Sequence, residues 1–325
     1  MVTIKEVAKE AGVSITTVSR VMNDRGYISV ETKEKVRNAM AALNYQPNQL
    51  ARSFHNRRTS YIGLLIPDVA IPFFTEMTER IETRLRKRGY KLFLCNSKDR
   101  GSYENEYLNM LFQNKVDGII IGTHMLKTEQ YRAIEMPVVA LDVTLSDSIP
   151  TISSDHAKGG RLAAEEFVRN RCKCVIQMQG DVNVKTPSFI RNSIFAEILK
   201  ENRIRCIDYS LKRNELRRDQ YYNEAKKVFE EYPEIDGVFS SDLVIANVMK
   251  YLLDSGRKIP EEVKLVGYDG GDIAKLMYPT LTYVEQPFDL IADKVVEILI
   301  RKINGEKISS NIALEDIRLV KGMTT

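Results

Sequence analysis

The sequence predicts an α/β protein. It begins with a three-helix head of helix-turn-helix type and a short hinge helix, followed by a two-lobed body built on parallel sheets. Three observations carry this. Residues 3–44 hold three amphipathic helical stretches, the first two with capping residues, separated by turn residues. From Tyr61 onward, short apolar runs alternate with helical ones, which implies parallel strands covered by helices on both faces. Within the body, Phe112–Ile120 is echoed by Glu231–Phe239: each is a helix end, then Asp-Gly, then an apolar strand, which fits two similar lobes better than one large sheet.

In the head, Thr3 and Glu6 have the capping-box spacing, and Ile4, Val7, Ala8 and Ala11 fall on one helical face that Gly12 ends. Ser14 suits the N-cap of a second helix over about 15–22, whose apolar side is Val18, Val21 and Met22. A third helix over about 31–44 offers Val36, Ala39, Met40 and Leu43 to close a small core. In such a unit the second helix presents its N-terminal side chains to the major groove. Here these are Ile15, Thr16 and Thr17, with Arg20 one turn on. Arg reads guanine through two hydrogen bonds, and Ile packs on a thymine methyl. Ser14, Thr17 and Ser19 suit phosphate contacts that set register. Without a ligand, the same spacing would make an ordinary three-helix cap.

Asn44–Phe54 turns at Pro47 and continues with helical spacing. A helix of about eight residues is unstable alone in water. It is therefore expected to order only when Leu50 and Phe54 are buried, for example as wedges in a DNA minor groove.

In the body, strands are expected at about 61–66, 90–95, 117–121, 137–141, 174–178, 204–208, 236–240 and 263–267. Helices are expected at about 73–88, 102–114, 157–170, 187–202, 217–231, 242–255 and 288–304. Ligands of open α/β sheets bind beyond the carboxyl ends of the strands. Asp68, Phe73, Phe74, Asp142, Asp155, Ser241, Asp242, Tyr268, Asp269 and Gln286 stand there. Carboxylates and amides bridge polyol hydroxyls, and aromatic faces cover C–H surface. The plainer roles are helix capping for Asp242 and core packing for Phe73 and Phe74.

Composition narrows the classes. The chain has 325 residues, 43% hydrophobic and 28% charged, with a net charge of +4. Residues 1–58 carry ten basic and five acidic residues, so the head is basic and the rest near neutral, which suits a polyanion partner for the head. No signal-peptide core or membrane-length apolar run interrupts the sequence, and four cysteines are too few for a disulfide scaffold, so a cytoplasmic setting is expected. Cys172-x-Cys174 lacks a second ligand pair, and His55, His124 and His156 form no metal motif, so neither metal nor cofactor is expected. GxGxxG, Walker and GxSxG patterns are missing, which disfavours an enzyme. Gly159-Gly160 at a helix start suits either an anion or close packing.

The stretches TIKEVAKEAGVSITTVSRVMN and ETKEKVRNAMAALNYQPNQLARS resemble the lactose repressor/galactose repressor family of bacterial transcription factors, and the resemblance runs over essentially the whole chain. It implies base reading by Ile15, Thr16 and Arg20, and a hinge helix that enters the minor groove, with Phe54 where the family has leucine. Thr3, Tyr45, Asn48, Leu50 and Ala51 complete the expected DNA-contacting set. It also implies a body like the periplasmic sugar-binding proteins, in which three crossovers join two lobes around a ligand. The pocket positions it implies are Phe73, Phe74, Asp142, Arg191, Ser241, Asp269 and Gln286. Ile71 replaces the family's usual Asn, and Lys185, Thr186 and Pro187 precede Arg191 in place of the longer family pattern. LCNSKDR, ISSDHAKGGRLAAE and GYDGGD look most like repressors of sucrose and related sugar operons.

The expected domains are a helix-turn-helix unit at 1–46, a hinge at 47–59 and an effector-binding body at 60–325. Within the body, one lobe takes about 60–158 plus 287–316 and the other about 159–286 plus 317–325. The expected function is repression of a carbohydrate operon by a homodimer on a near-palindromic operator, under control of a sugar or sugar phosphate. A catabolite-control regulator with a phosphoprotein co-effector is the alternative, and a sugar-binding enzyme or transport protein the more distant one.

Overall fold

The computed structural model describes residues 2–22, 26–45, 58–98, 100–180, 186–211 and 220–325. The expected hinge helix lies outside them. The chain divides into two compact units, Met1–Thr59 and Ser60–Thr325.

The head follows its local signals. In its first helix, Ile4–Ala11, the Thr3 amide and hydroxyl donate to Glu6 Oε2 at 2.6 and 2.9 Å. Gly12 ends it in the left-handed conformation, φ +64°. The second helix, Ile15–Met22, is capped by Ser14, whose Oγ accepts from the Thr17 amide at 3.0 Å. The third, Val30–Ala42, stops two residues before the expected end. Asn44 turns left-handed (φ +47°), and the Tyr45 and Asn44 amides bond back to the Met40 and Ala41 carbonyls, a Schellman closure. Val7, Ala8, Val18, Val36 and Ala39 form the buried core.

The body's strands are β1 (Tyr61–Ile66), β2 (Lys91–Asn96), β3 (Gly118–Ile121), β4 (Val138–Leu141), β5 (Thr151–Ser154), β6 (Cys174–Gln179), β7 (Arg205–Ser210), β8 (Gly237–Phe239), β9 (Lys264–Asp269), β10 (Thr282–Glu285), β11 (Ile312–Leu314) and β12 (Arg318–Val320). One sheet runs β11-β5-β4-β3-β1-β2, all parallel. The other runs β12-β10-β9-β8-β6-β7 and is parallel except for β12. The first lobe is thus β1–β5 plus β11, and the second is β6–β10 plus β12.

Each sheet is apolar on both faces. Ile62, Leu64 and Ile66 of β1 pack under the helices Pro72–Lys87 and Phe288–Ile303, while Leu65 faces the opposite core with Leu108 and Leu111. In the second lobe Ile176 and Met178 point to one core and Val175 to the other.

The chain crosses between lobes at 155, at 286–287 and at 315–317. The expected first boundary, 158/159, falls inside the helix His156–Arg169. That helix packs whole on the second lobe through Ala163, Ala164 and Phe167, so the division lies at Asp155. Strands β5, β10, β11 and β12 and the short helices Thr128–Arg132 and Asp272–Leu276 were not among the expected elements. Among the described residues no helix is long and apolar enough to cross a membrane, and no cluster of His, Cys, Asp and Glu could hold a metal ion.

Candidate DNA-reading face and effector cleft

The second head helix turns Val18 inward and leaves Ser14, Ile15, Thr16 and Arg20 on the surface. Ile15 keeps 43% of its surface exposed at the first turn of that helix. Thr17 and Ser19 are half-buried, and Thr17 Oγ1 lies 2.8 Å from Ser14 Oγ. Thr3 is exposed and engaged with Glu6, whose carboxyl is held below the usual range by the Thr3 amide and then the Thr3 hydroxyl. Tyr45 packs on the head core. The other expected DNA contacts, Asn48, Leu50, Ala51 and Phe54, lie outside the described residues.

In the body a cleft of about 200 Å³ opens between the carboxyl ends of the two sheets. Asp68, Phe73, Phe74, His124 and Asp142 line it from the first lobe. From the second come Gln179, Ser188, Arg191, Tyr221, Ser241 and Asp269, and from a crossover Gln286. Phe73 and Phe74 meet edge to face at 5.2 Å and serve the core and the cleft together. Asp68 Oδ1 accepts from the Ala70 amide at 3.0 Å and lies 3.7 Å from Lys98 Nζ.

Two of the carboxylates stand on strained backbone. Asp142 follows β4 at φ +55°, and Asp269 ends β9 at φ +121°. Non-glycine residues persist there only when their surroundings hold them, and such positions gather at functional sites. The Gln286 amide provides part of that hold. Its Oε1 accepts from Ser154 Oγ at 2.7 Å, and its Nε2 donates to Asp269 Oδ1 at 2.8 Å, tying β5 of one lobe to β9 of the other.

Of the candidates at the strand ends, Asp155, Asp242 and Tyr268 do not line the cleft, and Asp155 caps the helix His156–Arg169, its carboxylate accepting from the Lys158 amide at 2.9 Å. Asp242 is not a helix cap: Ser241 takes that position, and Asp242 is the first residue inside the helix. Its buried Oδ2 accepts from the Gly270 and Gly271 amides at 2.7 and 3.2 Å, so it braces the loop that carries Asp269 from behind. Burial, then the Asp269 charge, pushes its carboxyl well above the usual range, against the two amides and Arg191. Gly159-Gly160 is a packing feature. A side chain at Gly159 would meet Tyr268 Oη at 2.5 Å, and one at Gly160 would run into the Arg191 carbonyl.

His124, Gln179, Ser188 and Tyr221 were not anticipated. Gln179 ends β6, so the strand-end rule that points to Asp142 also reaches it. His156 and Tyr268 lie just behind the cleft. His156 Nε2 is 2.7 Å from Asp142 Oδ1, and its Nδ1 is 2.7 Å from the Tyr268 hydroxyl.

Residues 3–48 match the family model of bacterial regulatory proteins of the lacI family, and residues 59–321 match that of periplasmic binding proteins and the sugar binding domain of the LacI family. The chain belongs to the lacI family. This lacI-family chain is 38% identical over 315 residues to the ribose operon repressor of Halalkalibacterium halodurans, covering 95% of this chain and 93% of that one. It is 38% identical over 306 residues to the sucrose operon repressor of Streptococcus mutans, covering 93% of each. Among solved structures it is similar to the Lac repressor dimer bound to operator and the anti-inducer ONPF, with a TM-score of 0.86, 25% identity, and coverage of 99% of this chain and 98% of that one. The family accounts for the basic helix-turn-helix head and the crossover-joined lobes as parts of one regulator.

Proposed function

We propose that this lacI-family regulator represses a carbohydrate-utilisation operon. Two copies bind one near-palindromic operator in the cytoplasm, each head reading a half-site with Ile15, Thr16 and Arg20, and a sugar in the cleft weakens that binding. The observation that carries the reading is the composition of the cleft. Asp142, Asp269, Arg191 and Gln286 converge beside Phe73 and Phe74, pairing acceptors and donors for hydroxyls with apolar surface for a sugar ring. The contacts come from both lobes and a crossover, so an occupant prefers one lobe arrangement. Differential contacts of this kind are worth about 1–3 kcal/mol in coupling. The ribose and sucrose operon repressors among the relatives, and the operator-bound Lac repressor dimer, support it.

The test is fluorescence anisotropy of the full chain on DNA upstream of its own and neighbouring genes, at fixed salt, with D-ribose, sucrose and their constituent sugars and phosphates. Arg20→Ala is expected to lose about 1–3 kcal/mol of discrimination between specific and random DNA. Equal binding to all DNA by both proteins, or an operator affinity untouched by a sugar that calorimetry shows to be bound, refutes the reading.

A further inference from the structure

His156 is the first residue after the first crossover, and it is 2% exposed. On one side it meets the hydroxyl of Tyr268 in β9 of the second lobe, and on the other the carboxylate of Asp142 after β4 of the first, each at 2.7 Å. Tyr268 is fully buried, and burial raises its phenol far above neutrality, so the hydroxyl keeps its proton. A protonated phenol donates to Nδ1, and a carboxylate only accepts. A neutral ring with its proton on Nε2, donated to Asp142, fits both contacts. The Arg191 guanidinium lies 4.1 Å over the Tyr268 ring. Arg191 and Asp142 both line the cleft, whereas Tyr268 and His156 do not. A buried chain thus runs from a second-lobe cation to a first-lobe carboxylate.

We propose that Tyr268 and His156 are positioning residues that fix the acceptor face of Asp142 and tie it to the spacing of the lobes. The proposal rests on the reading of the cleft as the effector site. With Oδ1 engaged by the imidazole, Asp142 presents its other oxygen to one ligand hydroxyl. Its left-handed backbone makes that direction depend on the anchor. His156 belongs to a helix packed on the second lobe, so lobe separation breaks its bond to Asp142 first. A ligand hydroxyl on Asp142 and the relay therefore favour the same lobe arrangement, and occupancy strengthens the link.

The experiment uses the full chain as wild type, Tyr268→Phe, His156→Leu, His156→Gln and Asp142→Asn. Nitrogen NMR of the imidazoles, assigned against His156→Gln, is expected to show the Nε2–H tautomer in wild type and a shifted Nδ1 in Tyr268→Phe. Sugar-free operator affinity is expected to be retained or tightened in Tyr268→Phe and both His156 variants, since the link they break favours the lobe arrangement that the sugar selects. Calorimetry with D-ribose and sucrose is expected to show about tenfold weaker binding in Tyr268→Phe and His156→Leu, the worth of one lost hydrogen bond to a charged acceptor. His156→Gln keeps an acceptor toward Tyr268 and a donor toward Asp142, and is expected to recover most of the loss. Combining Tyr268→Phe with Asp142→Asn is expected to cost less than the two single effects together. An Nδ1–H tautomer, unchanged sugar affinity in Tyr268→Phe, a glutamine variant as weak as the leucine one, or simple additivity overturns the relay. If neither sugar binds the wild type, the cleft reading fails for those sugars, and the tautomer still upholds or overturns the relay.

Discussion

Gly160 sits where the helices His156–Arg169 and Phe189–Glu201 cross, and alanine there tests how tightly the second lobe holds Arg191. An added Cβ would lie 2.8 Å from Arg191 Cα and 2.9 Å from its carbonyl carbon, and closer still to its carbonyl oxygen. All three are backbone atoms, so no rotamer relieves the clash. The carbonyl oxygen is the nearest of the three, and restoring an ordinary carbon–oxygen contact moves the second helix by roughly 1 Å. Overpacking of this kind costs about 1–3 kcal/mol. The same shift moves Arg191, which lines the cleft, so with the cleft as the proposed effector site a lower sugar affinity is expected as well. Urea unfolding followed by tyrosine fluorescence is suited to the measurement, because the chain has no Trp and only Tyr27 and Tyr45 of its fifteen tyrosines lie in the head. The expected result is a lower midpoint with an unchanged slope. Gly63→Ala is the control. The three atoms nearest its Cβ would be Leu111 side-chain carbons, at 2.6, 2.9 and 3.3 Å, which can rotate, so its cost is smaller. A Gly160→Ala protein within about 0.5 kcal/mol of wild type, or no less stable than Gly63→Ala, refutes the argument.

Three further outcomes are expected. Burial pushes the Glu166 carboxyl up, but Lys321 at 3.0 Å, Thr325 and Asn170 outweigh it and leave it below the usual range. Its contribution is therefore complete above the unfolded value of about 4.3 and is lost as pH falls through the folded one. Lys321→Met is expected to cost about 1–3 kcal/mol at pH 7 and much less at pH 3, as denaturant melts at the two pH values will show. Asp242, raised rather than lowered, gives the opposite sign: its stabilisation is present at low pH and declines as pH rises through the folded value. Asp242→Asn is thus expected to gain on wild type with rising pH, whereas Asp242→Ala orphans the Gly270 and Gly271 amides and loses about 1–3 kcal/mol throughout. Cys95 and Cys172 are buried, with thiols pushed up to about 11 and about 12 by burial, so iodoacetamide at pH 7.5 is expected to spare both until urea is added, by mass spectrometry.

The head was legible because its signals are local: a cap at Thr3, a breaker at Gly12 and a second cap at Ser14 each act within four residues. The early stop of its third helix depends on Asn44 turning left-handed, a signal that Asn carries more weakly than Gly does. In the body the long apolar strands were plain. TISS served as a strand end for Asp155 yet was missing from the expected strands, because its buried serines read as polar while they satisfy partners far away, Ser154 on Gln286 for one. β11 is three residues long and pairs with β5, about 160 positions earlier. The strand-end rule found Asp142, Asp269 and Ser241. One residue of helix register separates Ser241, in the lining, from Asp242 behind it, and both residues are good caps, so sequence alone does not choose between them. The link of His156 to Tyr268 spans 112 positions and exists only once both sheets are assembled.

The interleaving of the lobes also orders events on the ribosome. The first sheet gains its outer strand only when Ile312–Leu314 emerges, and its covering helix, Phe288–Ile303, only slightly earlier. The head, complete by residue 45, precedes them by some 250 residues, or about 12–50 s of synthesis at usual rates. For that interval the short-range contacts of the helix-turn-helix are all available, while the first sheet still lacks its outer strand and its covering helix.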